Sequence, residues 1–366
     1  MPRPSRATLL VPDRPRKATA AALKNYKSPS TRRGRLQARV LQVLGQTGAG
    51  VLSPSRATVR IVTGHDSLPA HFGRLLGEDF VIAMHLGPPR ANQKPVVQIM
   101  RRNGDLVAFA KVGVNDLTRQ RVAGEVAALT ELSRRNLIHL SVPRVLHHGA
   151  WGDCVYVLLA PVPTWTAGRI DTPARIRAMR ELAQTAPTSR GPLSGLPWWH
   201  RTKAALERVA GSAEADQLIA HGRWMQHQWG DLELEVGPAH GDWTPWNMAT
   251  PGGQVVLWDW ERFAGDVPVG FDALHYGLEA AVRLDGMSPR EAVEDVTGRM
   301  GTIVAENGAK PEKALPIFAL YLLGLGERFI TDGQREAGAS KGGLSLWLLP
   351  GLERLVERAS RGNGEH

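Results

Sequence analysis

Two short stretches of this 366-residue chain carry acids and an amide at spacings that suit phosphoryl transfer. The first is His240-Gly241-Asp242-Trp243-Thr244-Pro245-Trp246-Asn247, and the second is Val255-Val256-Leu257-Trp258-Asp259-Trp260-Glu261. An aspartate on a loop, an asparagine five residues later and an aspartate ending the next strand can converge on one metal–triphosphate site. The transferred group carries spread negative charge, so catalysis is mainly positioning and charge neutralisation. Asp242 would orient an acceptor hydroxyl and take its proton, while Asn247 and Asp259 would give hard oxygen ligands to Mg²⁺.

Such a site needs elements to hold it. Phe80 to Leu86, Pro95 to Arg102 and Leu106 to Val112 read as strands, separated by turn-rich segments that include Asn103-Gly104-Asp105. The pattern Val122, Val126, Leu129, Leu132 predicts a helix from about Asp116 to Arg135, with Asn115 or Asp116 as its cap. Arg144 to Gly149 and Cys154 to Ala160 form a further strand pair, ended by Pro161 and Pro163. From Asp171 the chain reads as mainly helical, broken by one hairpin with arms near Asn247 to Ala249 and Gln254 to Trp258. Later helices are expected near 271 to 285, 288 to 307, 311 to 332 and 344 to 360. Ser288-Pro289-Arg290-Glu291 is a capping box.

Over roughly Phe80 to Phe329 the chain resembles the aminoglycoside phosphotransferase and choline kinase superfamily, relatives of the eukaryotic protein kinases. The resemblance rests on His240-Gly241-Asp242, four residues, Asn247, and on Asp259-Trp260-Glu261. Gly265-Asp266-Val267-Pro268 resembles the family's Gly-Asp-Pro stretch, and Asp272 its later aspartate, expected to brace the catalytic loop. The fold so implied is α+β and bilobal, protein-kinase-like, with a small antiparallel-sheet N-lobe bearing one helix and a mainly helical C-lobe. The expected divisions are a basic arm over 1–60, a nucleotide-binding lobe over 61–162, and a lobe over 163–366 with the catalytic loop and acceptor site.

The resemblance also implies a lysine on the third strand that meets the α- and β-phosphates and pairs with a glutamate on the next helix. Lys111 and Glu125 occupy those positions; Glu131 is the rival partner, on a different helix face. The adenine would lie against the backbone of Ala160 to Val162. The phosphate-loop position, Gly87 to Asn92, is poor in glycine and holds Pro88 and Pro89. By the same resemblance the donor would be ATP or GTP, and the acceptor a hydroxyl of an antibiotic or small metabolite. For a polycationic acceptor, Glu261, Glu279, Asp285 and Glu327 are candidate contacts; for a choline-like one, the tryptophans could form a cage. Trp243 or Trp246, inside the loop, could wall that pocket. A catalytically silent nucleotide- or ligand-binding protein is the competing reading.

Composition narrows little further. Residues 1–60 hold thirteen Lys or Arg and one acid, Asp13, which leaves 32 basic and 34 acidic residues for the remainder. The excess positive charge therefore belongs to an arm, read as a solvated tail or packing extension rather than a nucleic-acid contact. The single cysteine, Cys154, closes no internal disulfide, no unbroken apolar run reaches membrane-spanning length, and the N-terminus lacks a secretory pattern. A cytoplasmic protein without membrane association is the expectation. The histidines lack zinc-ligand spacing.

Overall fold

The computed structural model describes residues 8–24, 43, 46–47, 64, 66–86, 93–162, 171–186, 189–333 and 342–362. The chain divides into two compact units. One comprises Met1–Asn136, Val142–Arg169 and Ala249–Pro251; the other comprises Leu137–Ser141, Ile170–Met248 and Gly252–His366.

The first unit is built on an antiparallel sheet ordered β1-β2-β3-β4-β7-β6. Its strands are β1 (Leu9–Leu10), β2 (Val81–His85), β3 (Val96–Met100), β4 (Leu106–Gly113), β6 (Val145–Trp151) and β7 (Cys154–Leu159). Apolar residues alternate inward: Val97, Ile99, Ala108, Ala110 and Leu158 pack with Phe72. Helices α1 (Arg16–Lys24), α2 (Leu68–Leu76) and α3 (Asp116–Leu132) belong to the same unit.

The single helix expected here is thus accompanied by two others. The α2 signals are local: Pro69 lies in its first turn, and Gly77 ends it in the left-handed conformation at φ 78°. Helix α1 lies in the basic stretch read as an arm, yet its small residues Ala18, Ala20 and Ala22 are buried. Ala22 packs against Ala83 and Met100, and its carbonyl accepts a hydrogen bond from Gln98 Nε2 at 3.3 Å. With Leu9 and Leu10 paired to Met84 and His85, residues 8–24 are an edge strand and covering helix. Residues 8–24 thus follow the packing-extension reading, on a buried face of alanine rather than large aliphatics. At α3, Asn115 accepts from Thr118 N and Thr118 reaches back, a complete capping box.

The second unit holds helices α4 (Thr172–Ala183), α5 (Pro197–Arg208), α6 (Ala213–Trp229), α7 (Phe271–Arg283), α8 (Pro289–Glu306), α9 (Ala314–Thr331) and α10 (Leu348–Gly362). Their core includes Trp199, Leu218, Leu274, Leu278, Val296, Phe318, Leu322 and Leu352. The Ser288–Glu291 capping box is present. The segment Pro311–Thr331 is long and apolar enough, on average, to cross a membrane; its charged residues interrupt an unbroken apolar run but not the mean. Much of it is buried inside this core.

The unit contains more strand than the one expected hairpin. β5 (Leu140–Ser141) runs parallel to β11 (Val255–Leu257) in a sheet ordered β10-β11-β5, where β10 is Met248–Ala249. Glu181 on α4 anchors β5: its carboxylate accepts from Ile138 N at 2.6 Å and from His139 N and Leu140 N, both at 2.8 Å. A second sheet is ordered β12-β9-β8, from Ser189–Pro192 (β8), Glu233–Ala239 (β9) and Ala264–Pro268 (β12). These strands escape a pattern reading because glycine and proline interrupt them at Gly191, Gly237, Pro238 and Gly265. Together β9, β10, β11 and β12 frame the loop of interest.

Candidate active site

His240 follows β9 directly and is fully buried. Its Nε2 lies 3.1 Å from Trp258 O and its Nδ1 lies 3.2 Å from Asp242 N. A carbonyl can only accept and a backbone amide can only donate, so the ring is neutral with its proton on Nε2. Burial holds it neutral, pushing its pKa down to about 4. The histidine thereby ties the loop to the strand end that carries Asp259.

Gly241 takes φ 78°, and a Cβ there would sit 2.5 Å from Arg262 O. Only glycine combines that left-handed turn with so close an approach. Asp272, at the start of α7, accepts from His240 N at 2.7 Å and Gly241 N at 2.9 Å. Burial raises its carboxyl to about 6, against the lowering effect of those two amides. On the opposite side Arg328 donates from Nη1 to Gly241 O at 2.6 Å. The loop backbone is thus held from α7 and α9 at once.

These contacts present Asp242. Its Oδ1 lies 3.0 Å from His275 Nε2, and its Oδ2 accepts from Asn247 Nδ2 at 3.0 Å. Burial alone would raise its pKa, but the His275 hydrogen bond and the neighbouring positive charge of Arg262 outweigh that, and the carboxyl stays below its usual range. The side chain keeps about a third of its surface open, so solvent and an acceptor can reach it.

Asn247 spends its Nδ2 protons on Asp242, bonding its carbonyl as well as its carboxylate at 3.0 Å. That fixes the amide orientation and leaves Oδ1 as a proton-free acceptor. Asn247 O accepts from Trp258 N at 2.9 Å, which brings the asparagine beside the strand end leading into Asp259. Asp259 adopts φ 74°, the one positive φ outside glycine among the described residues. Left-handed backbone is costly for a side-chain-bearing residue and concentrates at functional sites. Asp259 lies close enough to Asp242, His240 and Arg262 to influence all three electrostatically.

The donor set suits a divalent cation. Four carboxylates, Asp242, Asp259, Asp272 and Asp332, interact with two guanidiniums, Arg262 and Arg328, so negative charge is in excess. Arg262 is paired with Asp332 in the interior. Among the described residues no group of three or more His, Cys, Asp or Glu forms a closed metal cage. Two hard oxygens, Asn247 Oδ1 and the Asp259 carboxylate, match an ion that takes its other ligands from phosphate and water.

In the first unit Lys111 Nζ, on β4, meets Glu125 Oε1, on α3, at 2.6 Å; the side chains are 12% and 0% exposed. Glu131 lies instead beside Arg135, 3.6 Å away on the surface. At the end of β7, Ala160 N–H donates to Arg144 O at 2.9 Å. That amide is thus committed within its own unit. The Gly87 to Asn92 loop lies outside the described residues.

Other expectations resolve individually. Trp243 is fully buried and donates Nε1 to Met248 Sδ at 3.4 Å, so it packs beneath the loop. Trp246 is 37% exposed, with the Arg283 guanidinium 5.8 Å from its ring centroid. Glu279 is buried, whereas Glu327 is half-buried with its carboxyl raised by burial. Asp285 is exposed. The residues that sequence reasoning missed are His275, Tyr321, Arg262, Asp332 and Arg328. Only His275 carried a local signal, standing three places after Asp272 on the same helix face.

No family model and no curated protein sequence matches this chain. Solved structures do. A thermostable mutant of aminoglycoside phosphotransferase APH(4)-Ia, in ternary complex with AMP-PNP and hygromycin B, superposes with a TM-score of 0.53 at 15% identity, over 81% of this chain and 99% of that one. This chain has the aminoglycoside phosphotransferase fold. A further mutant of the same enzyme, with ADP and hygromycin B, gives a TM-score of 0.52 at 14% identity, covering 80% of this chain and 98% of that one. The choline kinase LicA from Streptococcus pneumoniae aligns at 15% identity and a TM-score of 0.48, over 81% and 97% of the two chains.

Proposed function

We propose that this protein is a small-molecule kinase that moves the γ-phosphoryl group of ATP or GTP onto a hydroxyl of an antibiotic or small metabolite. The observation that carries this reading is the clasp of Asn247 on Asp242 beside the strained Asp259. It sets one carboxylate free of metal duty next to two metal-suited oxygens. The fold shared with a nucleotide- and hygromycin-bound phosphotransferase supports it.

Asp242 accepts the hydrogen bond of the acceptor hydroxyl, aims its oxygen at the γ-phosphorus and receives its proton as the new O–P bond forms. The bond from that phosphorus to the β-phosphate oxygen breaks, and the nucleoside diphosphate leaves. Asn247 and Asp259 would hold Mg²⁺, which would supply positive charge to the phosphate oxygens. Lys111, fixed by Glu125, would meet the α- and β-phosphates, and the Ala160 carbonyl and Val162 amide would face the adenine. The test is Mg²⁺-dependent consumption of ATP and of GTP by wild type and Asp242→Ala across aminoglycosides, other hydroxylated antibiotics, choline, amino alcohols and sugars. Stimulation of the wild type alone by one acceptor class supports the kinase. Nucleotide binding with no stimulation across the panel favours the silent binding protein instead.

A further inference from the structure

We propose that His275 and Tyr321 are positioning residues that fix the carboxylate of Asp242 through a hydrogen-bonded chain from α9 through α7 to the catalytic loop. The idea rests on the kinase reading, since it assigns a purpose to the side chain behind the proposed base. His275 Nε2 lies 3.0 Å from Asp242 Oδ1 and His275 Nδ1 lies 2.8 Å from Tyr321 Oη. Both side chains are 4% exposed. An ionised carboxylate has no proton to give, so Nε2–H donates to Asp242. Nδ1 shares the second hydrogen bond of the ring with the Tyr321 hydroxyl.

The far end of this chain is rigid. The Tyr321 ring lies edge-on to Phe271 at 5.7 Å and stacks on Phe318 at 6.1 Å. The polar chain is set in the buried side of α7, where Phe271, Ala273, Leu274 and Leu278 lie together with Tyr276 and Glu279. A buried imidazole there costs more than a leucine unless both nitrogens are engaged, and both are. With Asn247 on Oδ2 and His275 on Oδ1, the carboxylate plane of Asp242 is held from two sides.

During turnover the acceptor proton passes to Asp242 as the O–P bond forms and the bond to the leaving nucleotide breaks. His275 keeps its Nε2 proton throughout, so it is not a second base. Its contribution is orientation of the carboxylate and stabilisation of the ionised form that receives the acceptor.

The experiment compares His275→Leu, His275→Gln and Tyr321→Phe with wild type for kcat, nucleotide KM, acceptor KM and thermal midpoint. It is joined by the imidazole ¹H–¹⁵N spectrum of wild type and Asp242→Asn. Loss of the donor in His275→Leu should lower kcat about 10- to 100-fold with nucleotide KM nearly unchanged, on the scale of lost supporting contacts at other sites. His275→Gln, whose amide N–H replaces Nε2–H, should recover most of that loss, and Tyr321→Phe should show a smaller deficit. A folded His275→Leu with wild-type kcat overturns the proposal, as does a glutamine variant no better than leucine. If wild type phosphorylates nothing, the kinase reading falls, and the spectrum still decides the contact. A downfield Nε2-bound proton that shifts in Asp242→Asn supports it; a ring without a proton on Nε2 overturns it.

Discussion

Replacing Asp272 by Asn should make the second unit more sensitive to acid, even though it removes an acid. Asp272 has its carboxyl raised by burial to about 6, so relative to the unfolded chain it contributes stability that is present below pH 3.8 and is lost as pH rises through about 6. His240 behaves in the opposite sense. Burial pushes its imidazole from 6.5 down to about 4, so its contribution is present above pH 6.5 and is lost as pH falls through about 4. A gap of about two pH units, at about 1.4 kcal/mol each, is worth about 3 kcal/mol for the fully buried His240, and about 2 for the partly screened Asp272. Over the same pH window the two nearly cancel in the wild type.

Asp272→Asn removes one side of that balance. It also loses an acceptor for one of the two loop amides, a penalty of about 1–3 kcal/mol that does not depend on pH. The stability gap between wild type and variant should therefore widen by about 1 kcal/mol between pH 6.5 and 4.5. Urea unfolding followed by tryptophan fluorescence reads this directly, since Trp243 and Trp260 are fully buried around His240. Parallel or converging pH curves for the two proteins would refute the assignment of a raised Asp272 carboxyl.

Gly241→Ala should destabilise the fold by about 3 kcal/mol or more, because a left-handed alanine and a Cβ 2.5 Å from Arg262 O are both penalised; a lowered denaturant midpoint with reduced turnover checks it. Lys111→Met leaves Glu125 buried without its lysine and should cost the first unit about 3–5 kcal/mol, much of it regained in the double variant with Glu125→Leu. Denaturation of the single and double variants measures that, and both should show weakened nucleotide binding. Asp259→Ala should raise the Mg²⁺ concentration for half-maximal nucleotide consumption about ten-fold or more, while Asp272 and Gly241 keep the loop formed.

The sequence made the site legible where chemistry depends on local spacing. Asn247 can bond Asp242 because five residues of loop close on themselves, and β11 returns Asp259 beside it. Helix ends with caps, at Asn115 and Ser288, were readable for the same reason. Contacts over long separations were not: His275 and Tyr321 lie 33 and 46 residues from their partners in the chain, and the one local signal was the place of His275 one turn after Asp272. The β8-β9-β12 sheet was hidden by glycine and proline in its strands, and α1 by a basic composition that conceals a buried alanine face. Burial likewise reassigned Glu279 and Trp243, whose residue types alone suggested ligand contacts.

The most direct measurement of the central claim is ³¹P NMR of wild type and Asp242→Ala with ATP or GTP, Mg²⁺ and each acceptor of the panel. A phosphate monoester resonance that grows with the nucleoside diphosphate in wild type, and is absent in the variant while its nucleotide affinity is retained, is the predicted result. Equal monoester formation by both proteins, or nucleotide binding by wild type with no monoester from any acceptor, would contradict it.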